Sequence, residues 1–240
     1  MDRRRHRTSP HRTRAVAGRA GAGEVTPGSW RGVVASAATL ALGAALPAVR
    51  SGPRGRGLLA AAAGVSAVLA TRASGVSASA LGFDPARTRD GLRWGGGAAT
   101  AVAAGYVVAV TVPGLRAHFV DEGRAYRPDF YEWIGLHIPV GTVVAEELLF
   151  RSALTALVGP VPQALVFGLW HIRPARIEGD SVAGTVLVTA LSGLVFAWLR
   201  VRSGSILAPA LAHLAVNVGG AVAVRIATVR AAKGTHVRRD

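Results

Sequence analysis

The fold class this sequence predicts is an all-α polytopic bundle of about seven membrane-spanning helices, between six and eight. Three observations predict it. Half of the 240 residues are hydrophobic, and they lie in long blocks. The charge, net +15, lies between those blocks, as it does where basic loops flank spans. The residue alternation of an outer-membrane barrel strand is absent. The apolar content excludes disorder for most of the chain. The lack of cysteine excludes a disulfide scaffold. No internal repeat of 20–50 residues points to a solenoid or a propeller.

Residues 1–31 carry eight Arg and only two acids, Asp2 and Glu24, among Ser, Pro and Gly. They read as a disordered basic cytoplasmic tail that sets topology, not as a nucleic-acid-binding arm. The tail is too long for a signal-peptide basic region, and no small-x-small cleavage site follows, so the first span is expected to stay uncleaved. Apolar blocks then follow at Val33–Val49, Leu58–Ala70, Gly95–Val112, Tyr131–Val158, Pro162–Ile172, Val182–Leu199 and Ile206–Ile226. A span needs about 20 apolar residues, so several of these must borrow Gly- or Ser-rich flanks. The organisation read from these blocks is a tail (1–31), N-terminal helices and loops (32–129), a core (130–226) and a basic C-terminal tail (227–240). Seven spans with the N-terminus inside would place that second basic tail outside, against the positive-inside rule.

Ionisable groups inside a span cost at least about 2.5–3.5 kcal/mol each and call for a reason. Three blocks contain such groups or their polar companions. In VVAEELLFRSALTALV, Glu147 and Arg151 are four apart in the favourable Glu-before-Arg order and can pair. Glu146 is turned about 100° from that face and has no partner on its own helix. A neighbouring carboxylate and an apolar setting suit it to accept and return a proton. In FGLWH, Phe167 and His171 share a helical face. In HLAVN, His213 and Asn217 do the same. Polar groups in lipid converge on the bundle interior. A carboxylate that deprotonates water, a His that holds the water, and a His and an Asn that donate to an oxyanion are what peptide hydrolysis needs. His137 falls half a turn out of phase with Glu146 and is left out of this group. His6, His11, His118 and His236 lie in tails or loops. Trp94, Trp133, Trp170 and Trp198 read as packing or interface aromatics.

EELLFR (146–151), FGLWH (167–171) and HLAVN (213–217) fit the motifs EExxxR, FxxxH and HxxxN in order. On these motifs residues 130–220 resemble the CPBP family of intramembrane endopeptidases, the CAAX proteases and bacteriocin-processing (Abi) enzymes related to CAAX prenyl endopeptidases. The stretch LGFDPARTRDGLRWG (81–95) resembles the loop that often precedes the core in bacterial members. The resemblance implies that Glu146 is the catalytic base, that His171 orients the water, and that His213 and Asn217 form the oxyanion site. Glu147 and Arg151 would hold the constellation, and Phe167 would pack beneath His171. No cofactor is expected. The alternative is zinc on Glu146, His171 and His213, but HExxH is absent and each ligand would come from a different helix. The implied setting is a bacterial plasma membrane, with the bilayer and a membrane-associated protein or peptide substrate as partners and no nucleic acid. The competing reading is a non-proteolytic membrane protein, a transporter component or binding scaffold with a structural polar network. No Walker GxxxxGK[ST] supports an ATP-driven transporter. The sequence leaves the oligomeric state open.

Overall fold

The computed structural model describes residues 30–236. Helices account for nearly all of the ordered structure, and the only sheet-like pairing among the described residues is an isolated bridge from Phe83 to Ser205. Among the described residues the helices longer than four residues are α1 (Trp30–Ala45), α2 (Pro53–Ala73), α3 (Thr88–Thr111), α4 (Phe130–Val158), α5 (Pro160–Trp170), α6 (Ile172–Glu178), α7 (Val182–Ser203) and α8 (Leu207–His236). Their limits follow from local chemistry. Pro53 and Pro160 sit in first turns, where a missing N–H costs nothing. The Ser181 side chain accepts the Gly184 N–H at the start of α7. Gly179 and Gly204 end α6 and α7 at φ of 76° and 68°, a left-handed conformation that favours glycine.

Apart from the short α6, successive helices run in alternating directions. The start of α1 meets the end of α4 where Gly32 faces Val158, and the end of α1 meets the end of α5 where Gly43 faces Trp170. The first end of the bundle therefore holds the starts of α1, α3 and α8. The second end holds the starts of α2, α4 and α7. Small residues set the spacing, as expected where lipid removes the hydrophobic drive between helices. A side chain on Gly141 would meet the Gly57 backbone at 2.8 Å, and one on Gly64 would meet the Ala145 carbonyl at 2.9 Å. These contacts hold α2 tightly along α4, beside the Glu146–Glu147 pair.

Among the described residues, five helical segments are long and apolar enough to cross a membrane: Trp30–Ala48, Pro85–Thr111, Phe130–Val158, Val182–Ser203 and Leu207–Lys233. The sequence blocks suggest about seven. The difference lies in two helices. Helix α2 has 21 residues but carries Arg54, Arg56 and Arg72. Helix α5 has only 11 residues, about 16 Å at 1.5 Å per residue, roughly half of a ~30 Å hydrocarbon core. The reading of residues 1–31 as a disordered tail falls outside the described residues, except that Trp30 and Arg31 open α1. The basic stretch from 227 onward continues α8 as far as His236 and is not set apart from it.

Helix α4 departs most from the sequence reading, which treats it as an ordinary 3.6-residue helix. Trp133–Val144 and Glu147–Leu154 are wound as π-helix, with hydrogen bonds five residues apart. Pro139 lies inside the first stretch, where it supplies no N–H. Such wide turns concentrate at functional sites. The second begins at Glu147.

Candidate active site

Two carboxylates, a guanidinium and an imidazole meet between α4 and α8. Glu146 is 7 % exposed, Glu147 1 %, Arg151 0 % and His213 4 %. His213 reaches both acids: its Nδ1 lies 2.9 Å from Glu147 Oε1, and its Nε2 lies 3.7 Å from Glu146 Oε2. Arg151 Nε lies 3.5 Å from the same Glu147 Oε1. Glu147 is thus the hinge of the cluster, tied to Arg151 along its own helix and to His213 across to α8. Glu146 Oε2 and Glu147 Oε2 have no hydrogen-bond partner among the described residues.

Aromatic faces enclose the cluster. The Arg151 guanidinium carbon lies 4.0 Å from the Phe167 ring centroid and 4.9 Å from that of Phe196. A desolvated cation over a ring gains about 2 kcal/mol per good contact, part of the several kcal/mol that burying the ion costs. The His213 ring stacks on Phe196 at 4.9 Å and 27°. Phe167 meets His213 edge-on at 6.2 Å and His171 at 4.8 Å. It therefore forms a shared wall between the two imidazoles and under Arg151.

His171 stands where α5 breaks into α6. Its Nδ1 bonds the Phe167 carbonyl at 2.8 Å. An N–H there is a donor, which leaves Nε2 as the acceptor of the neutral ring. Asn217 lies one turn beyond His213 on α8. It is half-buried and lines a cavity of about 730 Å³ at the second end of the bundle, with Tyr106, Arg124, Arg127, Trp133 and Glu178. Among the described residues no group of three or more His, Cys, Asp or Glu is spaced to hold a metal ion.

His137 lies away from the cluster, with Nε2 3.1 Å from Glu132 Oε1. Glu132 also pairs with Arg54 at the start of α2. At the cavity rim Arg124 joins Glu178 at 2.8 Å, and Arg127 makes two bonds to Asp129, at 3.0 and 2.9 Å. The hydrogen bonds from Arg127 hold the Asp129 carboxyl below its usual range, against a smaller opposing effect of desolvation. A lowered folded-state value means that this contribution is complete above the ordinary carboxylate value, 3.8, and is lost as pH falls through the folded one. Proteolysis of the 113–129 loop by an acid-active protease should therefore stay slow at pH 5 and quicken below about pH 3.8. An Asp129→Asn variant should already be fast at pH 5. Equal rates for the two chains at pH 5 would remove this pair from the rim's stability.

Three buried polar residues escape the motif reading. Arg200 is 6 % exposed and donates to the Ala80 carbonyl at 2.8 Å. Ser152 donates to the Leu81 carbonyl at 2.8 Å. Gln163 is fully buried and donates to the Pro160 and Gly193 carbonyls. The available signal was a polar residue inside or at the end of an apolar block. Arg200 falls one residue past the Val182–Leu199 block. Together Arg200 and Ser152 clamp the 79–82 loop onto α7 and α4.

Among family models, residues 129–219 match the one described as Rce1-like: Type II CAAX prenyl endopeptidase Rce1-like. No curated protein and no solved structure matches the chain.

Proposed function

We propose that this integral membrane protein, whose residues 129–219 match the Rce1-like type II CAAX prenyl endopeptidase model, hydrolyses a peptide bond of a membrane-associated protein or peptide by a glutamate-activated water. The observation that carries this reading is His213 held between Glu146 and Glu147, with a Glu146 oxygen beside it that has no hydrogen-bond partner among the described residues.

The charge count of the buried cluster supports assigned roles. Two carboxylates and one guanidinium leave a single negative charge, which an imidazolium at His213 cancels. In that state Glu146 is an ionised base, and His213 Nε2–H is a donor directed toward it. Glu147 receives Nδ1–H and so fixes the ring, as a carboxylate orients histidine in other hydrolases. His171, with Nδ1–H given to Phe167, accepts from one O–H of the water through Nε2.

Glu146 takes the other proton of the water. The resulting hydroxide bonds to the carbonyl carbon, and the carbonyl π pair moves onto oxygen. His213 Nε2–H and the Asn217 amide donate to that oxyanion. Collapse breaks the C–N bond, and Glu146 returns its proton to the departing amine, so the enzyme ends as it began. The polar cavity at Asn217 is the route by which a chain segment enters.

The test is a comparison of protein N-termini in membranes carrying the wild-type chain or Glu146→Ala at equal abundance. New termini present only with the wild type are expected, each marking a cut within or next to a membrane segment. Identical termini across growth conditions would overturn the assignment.

A further inference from the structure

At the first end of the bundle, well away from the Asn217 cavity, α3 and α7 part to leave a second cavity of about 700 Å³. Arg87, Arg93 and Arg202 line it, with Asp90 as the one acid. Asp90 is already paired with Arg87 at 3.2 Å. Arg93 and Arg202 have no carboxylate partner among the described residues. The cavity thus presents two uncompensated guanidinium groups, the donors best matched to a phosphate's paired oxygens. Trp94 and Trp198 also line it, in an edge-to-face pair at 5.4 Å, and Arg202 lies 5.3 Å from the Trp94 ring.

Its depth and surroundings identify the ligand. The site lies where one candidate span begins, at Pro85, and another ends, at Ser203, which is headgroup level. On α7, Leu191, Val195, Trp198 and Arg202 follow one another at helical spacing on a single face. Leu191, Val195 and Trp198 are each more than half exposed. The stripe runs from apolar side chains through an indole to a cation, the order of groups from acyl chain to headgroup across a membrane interface. Gly97, four residues after Arg93, leaves open space on the facing helix. A soluble anion would use the arginines but not the stripe, and an apolar chain would use the stripe but not the arginines.

We infer that the α3–α7 cavity binds a phospholipid with a net-anionic phosphodiester headgroup. The phosphate sits between Arg93 and Arg202, and one acyl chain lies along Leu191 and Val195. Basic pockets between helices at this level recognise lipids of this kind.

The full chain, purified in a mild non-ionic detergent, would be titrated with phosphatidylglycerol, with phosphatidylcholine of identical chains, and with inorganic phosphate. Bound lipid would be counted by native mass spectrometry. At least tenfold tighter retention of phosphatidylglycerol than of phosphatidylcholine is expected. Arg93→Gln with Arg202→Gln should remove that preference. Arg50→Gln with Arg176→Gln, an equal loss of charge from exposed positions at the other end, should keep it. Equal loss in the control pair, equal retention of phosphatidylcholine, or full competition by millimolar inorganic phosphate would each overturn the proposal. A thermal midpoint for every variant guards against an unfolded sample, and the readout is independent of any peptide cleavage.

Discussion

Replacing Glu146 by Gln is expected to lower cleavage about 100- to 10,000-fold, the usual cost of losing a general acid–base. Gln keeps the volume and the hydrogen-bonding oxygen but cannot take a proton from water. Glu146 Oε2 has no hydrogen-bond partner among the described residues, and its ion contact with His213 is long, at 3.7 Å, so little stability rests on its charge. The thermal midpoint should shift by no more than a few degrees. The measurement is turnover of a substrate named by the N-terminus comparison, in proteoliposomes at matched enzyme content. Wild-type turnover in Glu146→Gln would remove the glutamate base from the reaction. Glu147→Gln provides the contrast. It should cost both rate and stability, because Glu147 Oε1 serves His213 and Arg151 together.

The second large effect is structural. Arg151→Met should destabilise the bundle by about 3–5 kcal/mol, the cost of leaving one member of a buried ion pair uncompensated. Met fills much of the volume and can keep contact with Phe167 and Phe196, so the loss reports charge more than packing. Adding Glu147→Gln should recover part of the midpoint, since both partners of the pair are then neutral. It should not recover cleavage, because a neutral amide no longer stabilises an imidazolium at His213. Additive losses in the double variant would show that the two side chains act separately. Thermal denaturation of the four chains in one detergent completes the cycle.

What the sequence made legible was whatever depends on spacing along one helix. Glu147 and Arg151 are four apart, and their pairing needs nothing beyond that. The long apolar blocks likewise place α1, α4 and α7 to within about four residues, but the third block begins at Gly95 where α3 begins at Thr88, and the last stops at Ile226 where α8 runs on to His236. Contacts between helices were out of reach. From the sequence Glu146 has no partner on its own helix, and its neighbour, His213, lies 67 residues away on α8. His213 reads from sequence as an oxyanion donor alone, and its bond to Glu147 depends on how α4 and α8 cross. The π winding of α4 was hidden for another reason. The stretch from Trp133 to Val144 is apolar except for His137 and Thr142, so no polar stripe records its period. Helix α5 was recognisable as apolar, but its 11 residues make it a short buttress for His171, not a full-length span.

The clamp on the 79–82 loop bears on how this protein can be taken apart. Leu81 is 1 % exposed, and its carbonyl is held by the residue next to Arg151. The Ala80 carbonyl is held by Arg200 on α7. The wall of the site is therefore built in part from chain that precedes the family match by nearly fifty residues. A cassette cut at 129–219 would lose the carbonyls that accept from Ser152 and Arg200, the acceptors these two buried side-chain donors have among the described residues. Grafting this centre into another membrane scaffold, or exchanging N-terminal halves between relatives, requires that the 76–84 segment travel with it. Sequence drift in the first helices is constrained in turn by the need to deliver that segment to its place.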